Sequence, residues 1–135
     1  MLFALFACSN HQDSTRKKVN TGNPGGLAPK LEFTEEIHNF GRLNAGETVV
    51  YDFSFINSGD GNLEIKKIET GCTCLTIELP EDIVKPGKKG ALKVIFDTSG
   101  LYGLQFQAFR VITSGEPVDL AVTAEIINEN IRFNN

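Results

Sequence analysis

Alternation of apolar and polar residues with a period of two is the feature that most constrains what this chain can fold into. Leu31, Phe33 and Ile37 share one parity against Glu32, Thr34 and Glu36. Val49, Tyr51, Phe53 and Phe55 alternate with Val50, Asp52, Ser54 and Ile56. Leu92, Val94 and Phe96 oppose Lys93 and Ile95, and Leu104, Phe106 and Ala108 oppose Gln105 and Gln107. In the last run Val118, Leu120, Val122, Ala124 and Ile126 oppose Asp119, Thr123 and Glu125. Successive side chains of a strand point to opposite faces, so each run reads as a half-buried strand with its apolar set inward. No window sustains a helical period.

Turn signals separate the runs: Asn44-Ala45-Gly46, Asn57-Ser58-Gly59-Asp60-Gly61-Asn62, Lys85-Pro86-Gly87-Lys88, Thr98-Ser99-Gly100 and Ser114-Gly115-Glu116. In Leu63–Ile68 the apolar parity switches between Ile65 and Ile68, which predicts a bulge or a strand that changes sheets. Short strands between such turns at near-regular spacing predict an all-β, immunoglobulin-like antiparallel sandwich of about seven strands.

The chain has 135 residues, enough for one domain. Its net charge of −4 argues against a nucleic-acid module, which carries a basic face. The one basic cluster, Arg16-Lys17-Lys18, lies outside the patterned region and reads as a solvated tether near anionic headgroups. Residues 9–30 lack apolar periodicity and contain Asn23-Pro24-Gly25-Gly26 and Pro29, a linker composition whose flexible span is about 25 Å. The apolar start Met1–Ala7 is too short to cross a bilayer. Leu5-Phe6-Ala7-Cys8 nevertheless resembles a bacterial lipobox, in which the cysteine becomes the lipidated N-terminus. The expected organisation is a truncated lipoprotein signal over 1–8, with the true start upstream, a polar linker over 9–30 and the sandwich over 31–135. Ser9 after Cys8 favours the outer membrane, with the domain in the periplasm or at the surface.

Phe40-Gly41, Gly46-Glu47, Phe53–Asp60, Leu63-Glu64-Ile65, the pair Cys72 and Cys74, Ile83 with Pro86-Gly87, and Val94–Asp97 occur in one order along the chain. Together they resemble the bacterial domain-of-unknown-function family numbered 1573, common in envelope lipoproteins. That family is similar to the immunoglobulin-like group of major sperm protein, Hydin-type domains and periplasmic pilus chaperones. The resemblance implies a fold and a compartment and no activity. The family's Cys-Gly-Cys-Thr is here Cys72-Thr73-Cys74-Leu75, which removes the backbone freedom of the intervening glycine.

Cys72 and Cys74 are the candidate thiol site. On an extended strand, residues two apart share a face at about 6.6 Å, whereas a disulfide needs Cβ atoms about 3.5–4.5 Å apart. A bond therefore requires a bulge or turn, which Gly71 makes accessible. Three readings stay open: packed structural cysteines, a redox pair, and a soft-metal site. His38 is the one histidine within the domain, and no nucleophile–base motif is visible, so we expect no catalytic residue, metal or cofactor. Asn57–Asn62 holds calcium-compatible oxygens but lacks EF-hand spacing, and an Asx-Gly turn needs no ion. Tyr102 reads as a surface anchor or as an aromatic folded back on the sandwich edge. Val118–Ile127 can complete a sheet internally or pair across an interface.

The functional expectation is a non-catalytic, lipid-anchored envelope protein. It would serve as an interaction or structural module for an envelope partner, docked on an edge strand or on loop ends, without binding nucleic acid. The alternative is a thiol-redox or soft-metal protein acting through Cys72 and Cys74.

Overall fold

A computed structural model of the protein describes residues 27–128. Nine strands form among them: β1 (Leu31–Phe33), β2 (Ile37–Asn44), β3 (Thr48–Asn57), β4 (Leu63–Thr70), β5 (Leu75–Glu78), β6 (Ile83–Val84), β7 (Lys89–Asp97), β8 (Gly103–Thr113) and β9 (Val118–Ile127). The strands exceed the expected seven because β1 and β6 are only three and two residues long. A four-stranded sheet in the order β1-β3-β7-β5 faces a five-stranded sheet in the order β2-β9-β8-β4-β6. The architecture is an all-β sandwich. Every connection except β8–β9 passes from one sheet to the other, and β2 runs parallel to β9.

The core lies between the sheets, where the alternating residues meet. Phe53, Phe55, Val94, Phe96, Leu120 and Val122 are all buried, as the period-two pattern predicts. The parity switch in β4 is a register shift against β8 between Ile65 and Lys67. A second irregularity lies in β2, between Asn39 and Arg42. There Gly41 takes a φ of 73° and donates its N–H to Asn39 Oδ1 at 2.8 Å. The extra residue lets both Phe40 and Leu43 pack against the core.

Two sequence expectations change. In β8 the inward set is Phe109, Val111 and Thr113, which places Gln105 and Gln107 on the inner side and Leu104, Phe106 and Ala108 outside. The inner side of the early half of β8 is polar and self-satisfied: Gln107 Nε2 donates to Gln105 Oε1 at 3.0 Å, and Gln105 Nε2 to the Tyr102 carbonyl at 2.7 Å. Ile37, assigned the parity of Leu31 and Phe33, sits in the other sheet and is exposed. Val118–Ile127 is paired internally on both sides, by β2 and β8, so it is no edge. The edges are β1 and β5 in one sheet and β2 and β6 in the other.

At the end of the tract read as linker, Lys30 O accepts from Ser58 N at 2.8 Å and Ala28 O from Asp60 N at 2.9 Å. Cys8 and residues 9–26 lie outside the described residues.

Candidate functional site

Cys72 and Cys74 lie in the connection from β4 to β5, where the chain crosses between sheets, and not on an extended strand. Their Cα atoms are 5.1 Å apart and the sulfurs are joined as a disulfide. The turn is built locally. Thr70 Oγ1 accepts from Cys72 N at 3.2 Å, Cys74 N points to Cys72 Sγ at 3.1 Å, and Leu75 N donates to Cys72 O at 3.4 Å. Asp97 N, at the end of β7, donates to Cys74 O at 2.9 Å. Both cysteines are half-buried, and Cys74 packs against the core. The geometric objection to a bond held for an extended strand; the crossover turn removes it.

A small ring adds little loop-closure entropy, so its stabilisation is modest. Replacing both cysteines with serine is expected to lower stability by about 1–3 kcal/mol. Urea unfolding monitored by circular dichroism measures this, and a loss well above that range would give the pair a larger structural role.

His38 belongs to a different cluster. Its ring stacks on Tyr51 at 3.5 Å between centroids and meets Phe40 edge-on at 4.7 Å. Its Nδ1 lies 2.9 Å from Glu35 Oε1. Hydrogen bonds from the Tyr51 hydroxyl and then His38 hold the Glu35 carboxyl below its ordinary value, and Glu35 in turn raises the Tyr51 hydroxyl. This cluster fastens β2 to β3 across the sandwich. It is not brought to the cysteines: β2 is the edge of its sheet farthest from β4 and β6. Among the described residues, no group of three or more His, Cys, Asp or Glu could hold a metal ion.

The outer face of the five-stranded sheet carries a candidate site that the sequence reasoning missed. The register sets Ile37, Ala121 and Ala108 in one row across β2, β9 and β8, followed by Asn39, Thr123 and Phe106. Leu104 is 87% exposed, Phe106 61% and Ile37 56%. The two alanines leave a depression of about 170 Å³ between Ile37 and Phe106. The flanking charges are already matched. Arg110 makes two hydrogen bonds to Asp119, 2.6 and 2.7 Å long, and Arg42 Nε lies 3.3 Å from Glu125. Tyr102, exposed in the loop before β8, does not fold back on the sandwich edge. The signal was present in the sequence: Phe109 and Val111 continue the parity of Gln105 and Gln107 and compete with the run Leu104–Ala108.

Comparison with solved structures places the same sandwich in several settings. A protein of unknown function from Porphyromonas gingivalis W83 superposes with a TM-score of 0.61 at 21% identity, covering 73% of this chain and 46% of that one. The VesB protease of Vibrio cholerae gives 0.60 at 15% identity, over 70% of this chain and 31% of the protease. The human CEP192 PapD-like domain 7 gives 0.64 at 10% identity, over 76% and 89% respectively. The chain thus spans less than half of the first two proteins, and at these identities the likeness is one of fold. No curated protein sequence matches it significantly. Residues 31–126, nearly the whole sandwich, match the family described as "Protein of unknown function (DUF1573)", and the chain belongs to that family.

Proposed function

We propose that this protein is a non-catalytic interaction module of the bacterial envelope, held at a membrane by lipid on Cys8. Ser9 favours the outer membrane, with the domain in the periplasm or at the surface. The observation that carries the reading is the apolar outer face of β8 and β2. Leu104, Phe106 and Ile37 stand in water where a two-layer sandwich needs only polar residues. Because Arg110 and Arg42 are matched within the chain, the face selects apolar contacts over charge. Its occupant is an apolar surface of another envelope protein. The engagement of His38 by Tyr51 and Glu35 supports a structural role for that side chain.

Two measurements test this. A photo-crosslinking residue at position 106 should capture a partner in living cells. The double change Leu104→Ser with Phe106→Ser should abolish capture by a probe at Ile37, while stability shifts by no more than about 0.5 kcal/mol. Undiminished capture would overturn the docking face. Separately, Cys8→Ser should abolish acyl labelling of protein expressed with a complete signal; labelling that persists would overturn the anchor.

The Cys72–Cys74 bond itself favours a second reading, thiol redox. Under it, each single serine variant would lose reductase activity with an unchanged circular dichroism spectrum.

A further inference from the structure

The flank of the sandwich beyond β5 is open. Strand β5 covers β7 only from Lys93 to Phe96, and the chain then leaves for β6 in the other sheet. From Lys89 to Leu92, β7 is therefore paired on one side only, by β3. The direction of its free groups follows from the ladder. Thr34 N donates to Ser54 O and Asn57 N donates to Lys88 O, so odd residues of β3 turn their backbone groups toward β7. The register Phe55↔Gly90 then points Gly90 and Leu92 at β3, and Lys89 and Ala91 outward.

The facing strand β6 is open as well. Ile65 N donates to Asp82 O across the β4–β6 ladder, so the backbone groups of Ile83 point away from β4. On the side away from β3 and β4, no backbone hydrogen bond among the described residues reaches Lys89, Ala91 or Ile83. Between these two edges lies a groove of about 660 Å³ with an apolar lining from Phe55, Val84, Ile83, Pro80 and Ala91. Gly90 makes room for it. A Cβ there would stand 2.6 Å from Phe55 Cζ, so a side chain would displace the ring that lines the groove.

The rim is basic. Lys85 and Lys88 are the corners of a turn in which Lys88 N donates to Lys85 O at 3.0 Å, and Lys89 follows at the start of β7. All three are exposed, and none pairs with a carboxylate among the described residues. The one acidic residue lining the groove is Glu81. This contrasts with the outer face, where the charges are matched.

We propose that this groove binds an extended, acidic segment of a partner protein as a strand added to β7 at Lys89 and Ala91. Backbone hydrogen bonds would hold the segment, its apolar side chains would fill the groove over Phe55 and Val84, and its carboxylates would meet the three lysines. The site is distinct from the outer face and does not depend on it.

The test uses the full chain and a fluorescein-labelled, capped peptide of alternating glutamate and valine, read by anisotropy. Lysine-valine binding should be at least about tenfold weaker, and N-methylating alternate amides of the acidic peptide should cost a similar factor. Changing Lys85, Lys88 and Lys89 together to Gln keeps the fold, since all three are exposed, and should weaken binding by about tenfold or more. The Leu104→Ser, Phe106→Ser variant should bind the peptide as the parent does, which separates this site from the outer face. The proposal is overturned if the acidic peptide fails to bind, if the lysine or N-methylated peptide binds equally well, or if the lysine changes have no effect. Self-association that the same lysine changes abolish would assign the groove to a second copy, and would also overturn it.

Discussion

Replacing Phe53 or Phe96 with alanine is expected to cost about 3–5 kcal/mol of folding stability, the range for emptying a buried aromatic site. Both side chains are 0% exposed. Phe53 meets Tyr51 edge-on at 4.9 Å, Phe109 at 5.9 Å, and Phe33 and His38 each at 6.5 Å. Phe109 belongs to β8, so this ring ties the two sheets together. Phe96 does the same at the other end of the core, stacking on Phe40 of β2 with centroids 6.1 Å apart. A domain of this size has about 5–15 kcal/mol of stability in total, so either change removes a large share. Urea unfolding of each variant measures the loss. A loss below about 1 kcal/mol at both positions would mean that the strand faces are assigned backwards.

Asn57→Ala should be the second most damaging of these changes, at about 2–4 kcal/mol. Asn57 is fully buried at the end of β3, and its amide is fully used. Nδ2 donates to the Gly61 and Val84 carbonyls, both at 2.8 Å, while Oδ1 accepts from Lys30 N at 3.2 Å and Gly59 N at 3.1 Å. One side chain therefore joins β3 to β6, to the turn after β3 and to the residues before β1. Removing it leaves two carbonyls without their donor inside the fold, and each such group costs about 1–3 kcal/mol when water cannot replace the bond. Proteolysis of the segment before Leu31 should accelerate in the same variant. A loss under about 0.5 kcal/mol, the range of ordinary surface changes, would show that water fills the site.

Asn57 also shows how far local reading reaches. As the first residue of Asn57-Ser58-Gly59-Asp60 it reads as a turn former, and its bond to Gly59 N is the Asx turn that such a sequence predicts. Its bonds to Val84 and Lys30 span 27 residues each, and nothing local encodes them. The cysteines are similar. Their spacing says that a bond requires a turn, and the crossover from β4 to β5 supplies one. The groove beside β6 was not legible, because it lies between strands of different sheets, β6 and the start of β7 that β5 leaves uncovered.

The sequence alone determined that the domain is all β, roughly where β3, β4, β7, β8, β9 and the glycine-rich turns fall, and which residues of β3, β7 and β9 point inward. These follow from a period of two and from turn chemistry, both of which act over a few residues. Only the tertiary structure decided which strands are neighbours. Of the paired strands, β8 and β9 alone are consecutive in the chain, and every other pairing joins distant segments. The tertiary structure also decided which face of β8 meets water. Leu104, Phe106 and Ala108 compete with Phe109 and Val111 for the inner side, and alternation cannot rank two apolar sets of opposite parity along one strand. The opposing sheet settles it by covering Phe109 and Val111, which leaves Leu104, Phe106 and Ala108 in solvent.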